Sequence, residues 1–136
     1  MKKKSLVLCI LLVVFLISSC ISMDSRGGAP IDQDGWAGIY TGVIPAADGP
    51  GIDVILILRS NETFVLIYHY IDRGGIDSVF SGRLAWNAAA NIITLDIDNF
   101  PPYYEAGRGI LTQLDLAGRR IGGELAGNYI LRKISP

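Results

Sequence analysis

The stretch GIDVILILRSNETFVLIYHY, Gly51 to Tyr70, decides the fold. Its first half alternates, with Ile52, Val54, Leu56 and Leu58 on one face and Ile55 and Ile57 on the other. Successive side chains of a strand point to opposite sides, so a period of two is that of a β-strand and not of a helix. SNET, residues 60–63, reads as a tight turn, and TFVLIYHYI returns as the second arm of a hairpin. Outward from it lie WAGIYTGVI (36–44) on one side and, on the other, SVFSGRLAW (78–86), IITLDID (92–98), GRGILTQLD (107–115) and NYILRKI (128–134). DRGGID, NAAAN and LAGR supply turns, and NFPPYY (99–104) breaks pairing because proline has no N–H to give a ladder.

Many short strands at regular spacing, with no helical period between them, predict an antiparallel meander. Gly38, Gly42, Gly82 and Gly109 lie inside apolar runs, where glycine suits bulges and the coiling that closes a sheet. Closure also removes the edges that such apolar strands would otherwise expose. The expected class is therefore all-β: a small antiparallel up-and-down β-barrel over residues 35–136, with a two-sheet sandwich as the alternative. No internal repeat is evident.

The N-terminus belongs to a different segment. MKKKSLVLCILLVVFLISSC carries three lysines, an apolar run from Leu6 to Ile17 and then small residues, the pattern of a bacterial export signal. That run is too short for a bilayer-spanning helix, which takes roughly 20 residues. LISSC resembles the lipobox of bacterial lipoproteins, which implies cleavage before Cys20 and acylation of that cysteine. Residues 1–19 are then the signal peptide, and 20–34 (CISMDSRGGAPIDQD) a polar, lipidated flexible tether. Two or three acyl chains hold a protein stably to a membrane where one does not. Ile21, rather than aspartate, follows the lipidated cysteine, which points to the outer membrane, facing the periplasm.

Losing Lys2, Lys3 and Lys4 with the signal leaves nine basic against thirteen acidic residues, a net charge of −4. That balance argues against nucleic acid and against a basic membrane-binding face; the membrane contact is the lipid. Cys9 leaves with the signal and Cys20 carries lipid, so no thiol remains for a disulfide, and stability rests on the β-core.

Few residues offer chemistry. His69 alternates to the face opposite Tyr68 and Tyr70, and to act it would need an orienting carboxylate or further metal ligands. A polar position on the outer face is the favoured reading. Asp96 and Asp98, two apart in a predicted strand, share a face as solvated carboxylates, and no loop has the ligand density calcium requires. Asp48 and Asp53 flank a Gly-Pro corner, where Asp48 is expected to cap its own turn. The serines show no nucleophile elbow, so no enzyme is expected. Tyr40, Tyr68, Tyr70 and Trp86 are the aromatics that could line a pocket, since a barrel of about eight strands is either packed solid or holds one small ligand.

YTGVIPAADGPGIDVILILRSNETFVLIYHY resembles the N-terminal domain of the NlpE-type lipoproteins, a family associated with copper resistance and envelope stress. Against that family's Y-x-G-x-L-P-C-A-D-C-x-G-I, this chain places Tyr40, Gly42, Pro45, Ala47, Asp48, Gly51 and Ile52 at matching positions, with Thr63 and Phe64 in the following turn. The likeness continues through SGRLAWN, LTQLDLAGRRI (Leu114, Asp115, Gly118, Ile121) and NYILRKI. It implies a lipocalin-like barrel on an envelope lipoprotein, and larger members carry a second barrel that is not expected after LRKISP. The departure is the family's C-x-x-C, where this chain has Ala46 and Gly49. Paired thiolates select soft metals, so no copper site, no metal and no cofactor is expected, and the corner Pro45, Ala46, Ala47, Asp48, Gly49, Gly51 is expected to be a structural turn. The expected function is non-enzymatic, through contacts with an envelope protein; the alternatives are a carrier of a small amphiphile and, behind it, metal handling through non-thiol ligands.

Overall fold

The computed structural model describes residues 35–72, 74 and 77–136. The segments read as signal peptide (1–19) and lipidated tether (20–34), Cys20 included, lie outside the described residues. Eight strands follow in order: β1 Gly38–Ile44, β2 Ile52–Arg59, β3 Thr63–Tyr70, β4 Asp77–Trp86, β5 Ile92–Leu95, β6 Tyr103–Gly107, β7 Ile110–Gln113 and β8 Ile130–Ser135. Each pairs antiparallel with the next, and β1 pairs with β8 through Ile39↔Ser135, Tyr40↔Lys133 and Thr41↔Arg132, closing the barrel. The sandwich alternative is thereby removed.

The central hairpin folds as its alternation dictates. Val54, Leu56 and Leu58 of β2 and Phe64, Leu66 and Tyr68 of β3 face inward and are essentially inaccessible. They join Tyr40, Leu84, Ile93, Leu95, Tyr104, Leu111 and Leu131 in one cluster that fills the barrel. Burying each such side chain contributes about 1.5–3 kcal/mol.

Three expectations need correction in the second half of the sheet. The segment read as a break between strands contains the start of β6: β5 ends at Leu95, ahead of Pro101 and Pro102, and pairing resumes at Tyr103, opposite Thr94. Pro102 still contributes as an acceptor, its carbonyl taking the Leu95 N–H at 2.9 Å. Gly109 is accordingly a turn residue between β6 and β7 and not an interior strand glycine. Asp96 and Asp98 lie beyond the end of β5, so strand periodicity does not place them on a common face, although both are exposed.

The long β7–β8 connection opens with an Asp115-centred turn. The Asp115 carboxylate accepts the backbone N–H of Ala117 at 2.8 Å and of Arg119 at 2.9 Å. These bonds, the Arg119 one foremost, hold its carboxyl below the ordinary value of 3.8. A carboxyl depressed by folding stabilises the native state above its unfolded pKa, and that contribution fades as pH falls through the lower folded value. D115A should therefore melt below the parent at neutral pH, with the two melting temperatures converging as the pH falls through the lowered folded value. A gap in melting temperature that persists unchanged into strong acid would assign the loss to something other than the carboxylate.

Candidate functional site

In an up-and-down barrel the connections alternate between the two mouths. The β1–β2, β3–β4, β5–β6 and β7–β8 connections therefore share one mouth, and the Pro45–Gly51 corner belongs to it. The ladder ends at Ile44↔Ile52 because Pro45 has no N–H to continue it. Gly51 follows with φ 141°, and a Cβ there would stand 2.7 Å from Val43 Cγ1 and 3.1 Å from the Ile44 carbonyl oxygen. Only glycine satisfies both conditions. Asp48 is exposed and makes no hydrogen bond among the described residues, so the expected capping role is not what holds this turn. Prolines and glycines hold it instead. Between this corner and the β7–β8 connection runs an open groove of about 450 Å³, lined by Val43, Ala46, Gly49, Pro50, Leu125 and Asn128 among others.

The corner does not fit a soft metal. Ala46 offers a methyl group and Gly49 nothing, and Gly49 sits at φ 120°, a backbone conformation that a cysteine would adopt only under strain. No group of three or more His, Cys, Asp or Glu side chains among the described residues is arranged to hold a metal ion.

The aromatics proposed to line a pocket divide. Tyr40 and Tyr68 point inward and are buried as parts of the core, whereas Tyr70 and Trp86 are partly buried and pack against it. Tyr40 donates its hydroxyl to the Trp36 carbonyl oxygen at 2.7 Å. Tyr68 stacks on Phe100 at 5.2 Å and meets Phe80 edge-on at 6.3 Å. Its hydroxyl lies 3.5 Å from that of Tyr104. Burial pushes all three buried tyrosines above the ordinary 10.0, Tyr104 furthest, with the neighbouring Tyr68 adding to the effect. Hydroxyls held neutral in this way are neither bases nor nucleophiles at physiological pH.

Gln113 escaped the reading of the sequence. It is 3% exposed and its Oε1 has no hydrogen-bond partner among the described residues. Alternation from Leu111 already points it inward, so the signal was there: a polar residue on the core face of a strand. An unsatisfied buried acceptor costs about 1–3 kcal/mol.

His69 gains the partner that the sequence could not supply. Its Nδ1 stands 2.6 Å from Asp77 Oδ1 on the outer face, both side chains about half exposed. Asp53 is the cross-strand neighbour on the other side, so the three form a row over β2, β3 and β4. They line a second open groove, about 520 Å³, together with Thr41, Val43, Ile55 and Ile67. The Nδ1–H tautomer donates to Asp77 and leaves Nε2 as an acceptor. Thr41 is the hydroxyl residue lining this groove, and no hydrogen bond joins it to His69 among the described residues.

Comparison with known proteins agrees with this architecture. The family model described as NlpE N-terminal domain matches residues 40–124. Among solved structures, the chain is similar to a Shewanella oneidensis protein assigned as a lipoprotein, at 33% identity and a TM-score of 0.67, over 75% of this chain and 94% of that one. Among curated proteins, none matches.

Proposed function

Since the chain belongs to the NlpE N-terminal domain family, we propose that it is a lipid-anchored, non-enzymatic protein of the cell envelope. In this reading Cys20 carries the lipid, the outer membrane is the site of anchoring, and the work is envelope maintenance or stress signalling through contacts with an envelope protein. The observation that carries it is the Pro45–Gly51 corner. Where the family has its thiolate pair, this chain keeps the turn and loses the ligands, leaving a groove floored by small residues and edged by Leu125, which is 54% exposed. A surface of that kind suits a protein contact and offers no bond to a metal.

The test uses the full chain in intact cells. Radiolabelled palmitate should enter the parent and not C20S, and the parent should sediment with outer-membrane density. A photo-crosslinking side chain at position 125 should capture a defined envelope protein. An unlabelled, freely soluble chain overturns the anchoring, and a position 125 that captures nothing overturns the contact.

A second reading, a carrier of a small amphiphile, is favoured by Gln113, whose unpartnered Oε1 could receive a polar headgroup. The filling of the barrel by three buried tyrosines, Phe64 and the inward leucines weighs against it. A lipid-sized adduct in a native mass spectrum would reverse that ranking.

A further inference from the structure

The outer face of β2–β4 carries charge at both ends and apolar groups between them. Cross-strand register sorts its outward residues into four rows: Asp53, His69, Asp77; then Ile55, Ile67, Val79; then Ile57, Val65, Ser81; then Arg59, Thr63, Arg83. Val79 is 61% exposed and Ile55 37%, on a face that solvent would ordinarily meet with polar side chains. Arg59, Arg83 and Asp53 make no ion pair among the described residues. One end is therefore acidic, the other basic, and the middle apolar.

From this arrangement we propose that the face docks a second copy of the same chain. A two-fold axis lying in the contact plane, perpendicular to the strands, reverses their direction and leaves β2 on β2 and β4 on β4. Asp53 then meets Arg59 of the second copy, and Asp77 meets Arg83 of the second copy. Ile55 falls on Ile57 of the second copy, and Ile67 on Val65 of the second copy. Each contact occurs twice, as an isologous pair requires, and aligned face-to-face packing is an ordinary way for two sheets to meet. A second copy supplies the complementary charge at both ends of the same two strands.

The contact is small. The six steps from Asp53 to Arg59 along β2 span about 20 Å at ~3.3 Å each, and three to four strands at ~4.8 Å give a width of about 15 Å. That footprint lies well under the roughly 800 Å² per partner of a standard stable interface. Pairing is thus weak and reversible in solution. Where both copies are tethered to one membrane, which rests on the lipid-anchored reading above, effective concentration rises without any new contact. The solution test below does not depend on that anchoring.

Charge exchange tests the proposal. Purified full chain in a nonionic detergent should associate with concentration in sedimentation velocity, and less so at high salt. D53K/D77K and R59E/R83E should each weaken self-association at least tenfold, since each then has like charge at both ends. An equimolar mixture of the two variants should associate again, at least as tightly as the parent. V79K, at an exposed central position, should also weaken association tenfold while leaving the circular dichroism spectrum and melting temperature near those of the parent. A parent that stays monomeric up to about millimolar concentration overturns the proposal. So does a mixture that fails to recover while the parent associates.

Discussion

Phe64→Ala is expected to lower the free energy of unfolding by about 3–5 kcal/mol, a large share of the roughly 5–15 kcal/mol of a domain this size. Phe64 is fully inaccessible at the start of β3. Its ladder partner is Gly82, and a Cβ on that glycine would stand 3.2 Å from Phe64 Cε1. The ring therefore occupies the space that a side chain at 82 would otherwise fill. Once the ring is cut back to a methyl group, neither residue can refill the gap, so the cavity persists and the cost lies toward the upper part of the range. Urea unfolding checks it: the midpoint should fall with the slope unchanged. A loss below about 1 kcal/mol, outside the range for buried aromatic truncation, would mean that the neighbouring aromatics relax into the space.

Gly42→Val sets two effects against each other. Valine is the better strand former, by up to about 1 kcal/mol, and on propensity alone it should stabilise β1. The close approach of β8 opposes this. A Cβ at 42 would lie 2.6 Å from the Ile130 carbonyl oxygen and 3.0 Å from Leu131 Cδ2. A leucine methyl can rotate away, but a backbone oxygen in the closing seam cannot. Overpacking of this kind costs about 1–3 kcal/mol, and steric exclusion wins. The seam should loosen, and two apolar strand edges should then be offered to other chains. The expected result is a lower melting temperature with concentration-dependent aggregation on heating, followed by light scattering. If G42V melts at or above the parent temperature, β1 and β8 do not approach this closely.

The residues read from order alone behaved unequally. Alternation in Gly51–Tyr70 put Val54, Leu56 and Leu58 on one face of β2, and that face is core; which face turns inward only the closed sheet decided. The corner from Pro45 to Gly51 was recognisable because proline and glycine act locally, through a missing donor and a missing Cβ. In the second half, the two prolines concealed β6, since a break in donors is not a break in chain direction. Asp48 was assigned a cap by residue preference, which states what aspartate often does in turns and not where its carboxylate points here.

What order along the chain determined, then, is whatever depends on neighbours in sequence: the period of two, the turns, the thiol-free corner, and the presence of one histidine and a few acids. Which charges meet is a matter of register between strands. His69 finds Asp77 because β3 and β4 pair in one register across their loop, and a slip of one residue would send that carboxylate to the other face. The same register assembles Asp53, Asp77, Arg59 and Arg83 at two ends of a single outer face. Closure of β1 on β8 is likewise absent from any local pattern, because it joins residues almost a chain length apart and is set by the summed twist and tilt of all eight strands.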